Sequence, residues 1–535
     1  MPKRRPTYWA GRIGAILAVA GSVIGLGSFL RFPNQVALHG GGTFMVPYLC
    51  ALVLLGLPLM WMEWALGRLG GIWGRHSLPG IFDAATHRPW VKYLGVAGIF
   101  LPFIVLVYYT YVQSWTLGYS LLAATGAFHE VTKPAEAGAQ FTGYLGIGDG
   151  MLSWTLPALL YLAITLALNF YVSYRGLSAG VAKFNRIAMP ILFLLAIALL
   201  ARVLLLPGKA VTLGLDFLWR PDFDALFTHV SLGPWRLPLP DARIWLAAAG
   251  QVFFSLSLGL GVMVTFGSYL RKDDDIGLSA LTTTSLNSVA EVLLGATIAI
   301  PAAVVFFTIS GAITVAKSGA FALGFQTAPL LFQHMPFGDV AGTVWFLLLY
   351  FAGITAASSL LQPLIAFFQD EMGWSRQKAT LVLLAATVAY LAPVVLLMKH
   401  GFLNEMDFWG GTFLLVVGAL IEVIVFIKVL GMKTGWEGIT YGSKLRIPKF
   451  FRAILQYVAP IYLIVLLACW LWQQAVPALM LDGIAPERQP FAIAARVVMG
   501  LVLLAMLLLM RHIWQRRQQA PDTVIDLAEE VGDVL

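Results

Sequence analysis

The sequence predicts an all-α protein embedded in a membrane, and three observations carry that prediction. Apolar residues (AVILMFWYC) fill 59% of the 535 positions, whereas Asp, Glu, Lys and Arg together fill 12%, about half the charged share of a soluble domain. The mean hydropathy is +0.81. Apolar runs of the roughly 20 residues needed to cross a bilayer recur along the chain and leave no length for a large soluble domain. Such runs are helical, because lipid cannot satisfy backbone N–H and C=O groups and a helix satisfies its own.

Twelve such runs fall near residues 13–38, 43–67, 93–124, 151–172, 187–206, 244–270, 276–307, 339–369, 379–398, 406–427, 453–481 and 490–510. The first follows a basic start, Met1 to Arg12, as in a signal peptide. It continues into Arg31-Phe32-Pro33 without a small-residue cleavage site and reads as a retained helix. The net charge of +8, from 35 Lys and Arg against 27 Asp and Glu, reports orientation rather than nucleic-acid binding. With the N-terminus in the cytoplasm, 24 of the 35 cations fall on that side. Both termini are therefore expected there, in a multi-pass protein of the cell (inner) membrane. The longest outer loops lie near 125–150, 207–243 and 308–338. The last holds Phe321, Leu323, Phe325, Leu330, Leu331 and Phe332, enough for a surface-packed helix pair that acts as an outer lid or is ordinary packing. Cys50 and Cys469 lie in apolar runs, which gives neither a disulfide framework nor a zinc spacing. The acidic tail after Arg517 reads as a solvated segment.

Two spans look interrupted. The first carries Gly21-Ser22-Val23-Ile24-Gly25-Leu26-Gly27-Ser28 and the sixth carries Ser255-Leu256-Ser257-Leu258-Gly259-Leu260-Gly261. Each interior glycine costs a helix about 1 kcal/mol relative to alanine, although glycines also let membrane helices pack closely. Matching positions in two five-helix halves favour unwinding, the pointer to a transporter's midplane site, for which the family named below is the standard example. Unwinding bares carbonyls that coordinate a cation and N–H groups that hold a carboxylate, so the site suits a zwitterion plus a hard cation.

Several motifs add specificity: Trp9-Ala10, Gly25-Leu26-Gly27-x-Phe29-Leu30-Arg31-Phe32-Pro33, Gly40-Gly41-Gly42-x-Phe44, Pro47-Tyr48 and Pro58-Leu59-x-x-x-Glu63. Tyr108-Tyr109, Ser114-Trp115, Gln251 to Ser257, Ser268-Tyr269, Asn287, Gly353-Ile354-Thr355, Gln362-Pro363 and Met406-Asp407-Phe408-Trp409 follow. Over nearly its full length the chain resembles the neurotransmitter:sodium symporters, in particular prokaryotic members such as the bacterial leucine transporter. The resemblance implies a five-plus-five inverted repeat with discontinuous helices 1 and 6, and sodium-driven amino-acid uptake by alternating access. The first repeat would occupy 1–206, the second 207–431, two further helices 432–510, and a cytoplasmic tail 511–535.

Carried over position by position, the resemblance places the substrate carboxylate at the N–H groups of Leu26 and Gly27 and the Tyr109 hydroxyl. The ammonium falls near the Phe254 carbonyl and Ser257. Val105, Tyr109, Phe254, Leu260, Ala356 and Leu360 would line an apolar side-chain pocket. One or two sodium ions are implied. The first maps to Val23, Ser28, Ser255 and Asn287, the second to Gly21, Ile24, Ala352 and Thr355. Two positions depart from the family: Ser28 replaces a longer asparagine, and Ala356 replaces a hydroxyl-bearing residue, so the chain is expected to bind sodium more weakly or to use fewer ions. Arg31 and Asp407 resemble the outer gate. Arg5 (or Arg4), Trp9, Ser268, Tyr269, Gln362 and Asp370 resemble the inner gate, although counting from Trp9 puts Pro6 at the family's arginine. Glu291 stands where chloride-dependent members have serine, so a resident carboxylate is expected to replace chloride. Glu63 and Glu422 read as structural. The expected function is inward symport of a neutral, hydrophobic amino acid with sodium. Proton coupling, sodium-independent exchange and a non-transporting amino-acid receptor are the alternatives. Enzyme chemistry is disfavoured, because the histidines do not cluster and no His-Glu-x-x-His motif occurs.

Overall fold

A computed structural model of the chain describes residues 19–86, 88–148, 150–175, 181–232 and 235–518. Among the described residues nine helices are long and apolar enough to cross a membrane: Gly42–Ile72, Val91–Ala124, Leu156–Arg175, Ile276–Lys317, Gly338–Met372, Arg376–Leu396, Phe402–Thr440, Phe450–Leu479 and Gln489–Arg516. A helix over Val181–Leu204 and another over Ala242–Leu256 accompany them. Several begin where a side chain supplies the missing acceptor for a first-turn N–H. Asp241 accepts from the Arg243 amide at 3.0 Å, Asp275 from the Leu278 amide at 2.9 Å, and Ser375 from the Lys378 amide at 3.2 Å. Gly373, left-handed at φ 67°, ends Gly338–Met372.

Both glycine-rich stretches are interrupted. The first segment is helical over 19–23, bends at Ile24 and Gly25, and resumes as a π-turn over Gly27–Arg31 followed by Phe32–Leu38. The Ala242–Leu256 helix stops at Ser257 (φ 55°, ψ 34°), and a short helix restarts over Val262–Gly267. Gly259 and Gly261 at φ +69° and +68° supply left-handed turns that a side chain resists. Close packing operates at the same glycines. A Cβ on Gly259 would meet the Leu415 carbonyl at 2.7 Å, and one on Gly261 would meet the Gly98 backbone at 2.9 Å.

Glycines also join the Gly42–Ile72 helix to the Val262–Gly267 helix that follows the second interruption. A Cβ on Gly67 would collide with the Val264 carbonyl, one on Gly71 with the Ser268 carbonyl, and one on Gly267 would lie 2.6 Å from the Trp64 carbonyl. At the other extreme, the last two helices leave Ile461, Trp472, Val497 and Leu504 more than half or about half exposed, as lipid-facing surfaces do.

The longer connections differ from the all-helical expectation. Residues 207–243 contain a helix over Ala210–Trp219 and a two-stranded antiparallel hairpin, Phe227–Leu232 with Trp235–Pro240, pairing Phe227 with Pro240. The helix from the seventh run does not end at 307. It continues to Lys317 past a non-helical Thr308 (φ 64°, ψ 173°). A second helix, Ala322–Gln333, buries Phe325, Leu330, Leu331 and Phe332 in the interior instead of laying them on the surface.

Candidate functional site

The interruptions bring bare backbone against aromatic rings. A Cβ on Gly25 would lie 3.2 Å from the Tyr109 hydroxyl, and one on Gly27 would lie 3.1 Å from the Phe254 ring, so glycine lets these rings lie against the main chain. Leu26 is fully buried beside them. Val105, Leu260, Ala356 and Leu360 belong to the same continuous hydrophobic cluster as Tyr109 and Phe254. Ser257, left-handed at the end of its helix, is 8% exposed.

Two groups of oxygens flank the first interruption. In one, the Ser28 hydroxyl reaches Asn287 Oδ1 at 3.0 Å and the Val23 carbonyl at 3.4 Å, and Asn287 Nδ2 donates to Ser255 Oγ at 3.3 Å. In the other, the Thr355 hydroxyl lies within hydrogen-bond reach of the Gly21 carbonyl and of the Ala352 carbonyl at 2.8 Å. Both groups are buried and composed of neutral oxygens, the donor type a hard cation prefers. The methyl of Ala356, next to Thr355, adds no oxygen. Ile24 stands at the bend itself.

Above these groups Arg31 is fully buried. Its Nε donates to Asp407 at 2.9 Å, Nη2 donates to Asp407 at 3.1 Å, to Thr412 Oγ1 at 2.8 Å and to the Gly411 carbonyl at 3.3 Å, and Nη1 donates to Gln251 Oε1. The guanidinium also sits 4.5 Å over the Phe254 ring. Arg31 thereby ties the Gly27–Arg31 turn to the stretch from Asp407 to Thr412. Gln251 extends the network, since its amide donates to Glu291 at 2.6 Å and to the Gly27 carbonyl at 3.3 Å. Glu291 accepts further bonds from Tyr48 at 2.7 Å and from Asn287 at 3.0 Å, so one carboxylate touches the outer network and the first oxygen group together. Glu63 accepts the Gly259 amide at 2.8 Å and braces the second interruption.

On the opposite side Ser268, Tyr269, Gln362 and Asp370 come together. Gln362 donates to the Tyr269 hydroxyl at 2.7 Å, and Asp370 accepts the His76 amide at 2.7 Å. Arg5 and Trp9 lie outside the described residues. Two residues that the motifs did not mark complete this cluster. His76 stacks on Tyr269 with centroids 4.9 Å apart and places Nδ1 2.9 Å from Ser268 Oγ, while Arg376 donates to Gln362 at 2.9 Å. Burial, and secondarily the neighbouring Arg75, pulls the His76 imidazole from 6.5 down to about 4. Gln251 and Tyr48 also lacked an assigned role. The signal for Gln251 was its spacing: it stands one turn before Ser255, as Asn287 stands one turn before Glu291, so each pair shares a helix face.

A model of the sodium:neurotransmitter symporter family matches residues 5–132 and 145–515. An uncharacterized sodium-dependent transporter of Methanocaldococcus jannaschii is 30% identical over 85% of this chain and 88% of its own length. The sodium-dependent dopamine transporter of Bos taurus is 26% identical over 85% of this chain and 68% of its own. Among solved structures, the transporter MhsT in complex with L-phenylalanine superposes with a TM-score of 0.73 at 28% identity, covering 86% of this chain and 99% of that one. That is a family of membrane transporters and not of enzymes. The chain belongs to the sodium:neurotransmitter symporter family.

Proposed function

We propose that this protein moves a neutral, hydrophobic amino acid inward together with sodium by alternating access. On this reading it has twelve spans in a five-plus-five inverted repeat plus two, lies in the cell (inner) membrane, and has both termini in the cytoplasm. The observation that carries the proposal is the stacking of three features: two helix interruptions at one depth, neutral oxygen groups beside them, and the buried Arg31–Asp407 pair above. The amides at Leu26 and Gly27, with Tyr109, would hold the carboxylate, because amides at an unwound helix end favour an anion. The Phe254 carbonyl and Ser257 would take the ammonium. Val105, Leu260, Ala356 and Leu360 would face an uncharged side chain, which their lack of polar atoms favours. L-Phenylalanine bound to MhsT supports that substrate class.

Sodium is the cotransported substrate. Val23, Ser28, Ser255 and Asn287 would hold one ion against the amino-acid carboxylate, and Gly21, Ile24, Ala352 and Thr355 a second, weaker one because Ala356 offers no hydroxyl. Glu291 would supply the negative charge that chloride gives other members, so uptake needs no chloride. Arg31 and Asp407 would close the outer side, and Ser268, Tyr269, Gln362 and Asp370 the inner, with Arg5 and Trp9 completing it. The test is uptake of a labelled panel of amino acids into liposomes with an inward sodium gradient, repeated with choline for sodium and gluconate for chloride. Accumulation of an aliphatic or aromatic amino acid that needs sodium and survives chloride removal is expected. Uptake driven equally well in choline rejects the sodium coupling.

A further inference from the structure

The outer gate has two halves that the chain anchors differently. Arg31 sits seven and six residues beyond the bend at Ile24 and Gly25, on a segment detached from the helix before it. Among the described residues, every acidic or oxygen partner of Arg31 other than Gln251 lies between Asp407 and Thr412. The back of that stretch is held by a second arginine from the last helix. Arg496 Nε donates to Glu405 at 2.8 Å, and Trp409 Nε1 donates to the same carboxylate oxygen at 3.0 Å. The Arg496 guanidinium also lies 5.2 Å from the Trp409 ring centroid, and its Nη1 donates to the Ala478 carbonyl at 2.7 Å. Trp470, from the helix before, packs on Phe413 at 4.3 Å and on Trp409 at 5.9 Å. Glu405 and Asp407 stand two residues apart on one short helix, so their side chains leave it on different faces. One is drawn to Arg31 in the core and the other to Arg496 at the periphery.

We propose that Arg496 is a positioning residue of the outer gate. Through Glu405 and Trp409 it holds the acidic half of the gate fixed to the last two helices, so that opening proceeds by departure of Arg31 with its detached segment. The inference rests on the alternating-access reading above. An arginine is costly in a segment as apolar as Gln489–Arg516, and such residues are retained for a partner or a function. Its side chain is only 22% exposed and that of Glu405 15%, which makes the pair stronger than a surface ion pair. The same helix is tied at its other end, where the Trp514 ring lies 3.7 Å from the Lys92 ammonium, itself paired with Asp83 at 3.2 Å. A helix held at both faces of the membrane suits a stationary strut.

The test uses the full chain in liposomes, with L-phenylalanine as the probe, and compares Arg496→Gln, Arg496→Lys and Glu405→Gln with the parent. Loss of a partly buried charge contact weakens closure over the bound substrate, so Arg496→Gln is expected to raise KM about tenfold while kcat stays within about twofold. Arg496→Lys, which keeps the charge, should recover part of that affinity. Hydrogen–deuterium exchange should accelerate in residues 402–413 and stay unchanged in 91–124. An unchanged KM with unchanged exchange in 402–413 overturns the inference, as does a fall in kcat with faster exchange along the whole chain. Glu405→Gln breaks the same pair while leaving Arg496 its bond to Ala478, so a poorly folding Arg496→Gln does not end the test. If the parent accumulates no L-phenylalanine with sodium, the transport reading fails for this probe, and the exchange comparison still decides whether the clamp exists.

Discussion

Arg31 and His76 stand at the two ends of the proposed transport path, and they are held in different ways. Arg31 is a full charge removed from water, with a carboxylate, two neutral side-chain acceptors, a carbonyl and an aromatic face around it. The inner end includes separate hydrogen bonds: Gln362 to Tyr269, Arg376 to Gln362, and His76 to Ser268 and Asp370. Arg75, which pairs with the buried Glu371 at 3.6 Å, is 28% exposed. A buried charge pair resists partial opening, because either ion alone in a dry site is expensive. Bonds spread over several separate side chains yield one at a time. The outer end should therefore behave as a latch and the inner end as a graded seal.

Four substitutions test that contrast, and a fifth probes the ions between the ends. Asp407→Asn strands Arg31. Breaking a buried pair by removing one partner costs about 3–5 kcal/mol, so sodium-dependent uptake should fall at least about 100-fold; retention of more than a tenth of it breaks the contrast. Glu291→Ser removes the acceptor shared by Tyr48, Gln251 and Asn287, and buried donors left unpaired cost about 1–3 kcal/mol. Uptake should fall about tenfold in gluconate and recover in chloride, and equal rates in the two anions would show that the carboxylate does not stand in for chloride. Tyr269→Phe deletes one neutral bond worth about 1 kcal/mol. About a fivefold gain in efflux relative to uptake is expected, and a loss as deep as that of Asp407→Asn would make the inner end a latch too.

His76 gives the inner end a pH response. With the inner side shut, its imidazole is held near 4 against an ordinary 6.5. A depressed pKa means that the shut form excludes the proton, so shutting is favoured above 6.5 and progressively opposed as cytoplasmic pH falls from 6.5 towards 4. Lowering internal pH from 7 to 6 should shift the balance towards the inward-open form about threefold, and His76→Gln should abolish the shift. Measuring efflux against internal pH in both proteins decides this. The smallest effect is expected at Ala356→Ser. One added oxygen next to Thr355 should lower the half-saturating sodium concentration about twofold by completing a hard-cation site, and an unchanged sodium curve would end the argument that a ligand is missing.

The nine long apolar helices among the described residues and both interruptions were legible in the sequence because each rests on a local cost. Long apolar runs admit only helix in lipid, and glycines at 25, 27, 259 and 261 penalise it locally. The proximity of Ser28, Ser255 and Asn287, and of Arg31 and Asp407, was legible through motif resemblance, since Ser28 lies 259 positions from Asn287 and Arg31 lies 376 from Asp407. Other features left weaker traces. Pro238 and Pro240 argue against a strand, yet in a two-stranded ribbon each strand has one partner, and proline is tolerated where its nitrogen faces away from the ladder. Thr308 carries no turn signal, yet its φ of 64° interrupts the helix there. His76 sits in a short polar connection that reads as solvated surface. Its meaning comes from Ser268 and Asp370, 192 and 294 positions away.

The glycines at 67, 71 and 267 set how large the moving part must be. With carbonyls of one rod seated in the notches of the other, residues 57–72 and 262–267 have no clearance to slip past one another, so a tilt of either sweeps both through the bilayer. Both rods are buried within the protein, so on the alternating-access reading it is the neighbouring helices that must repack at every turnover. Their packing then becomes a brake on the cycle, applied through a contact that never touches the cargo.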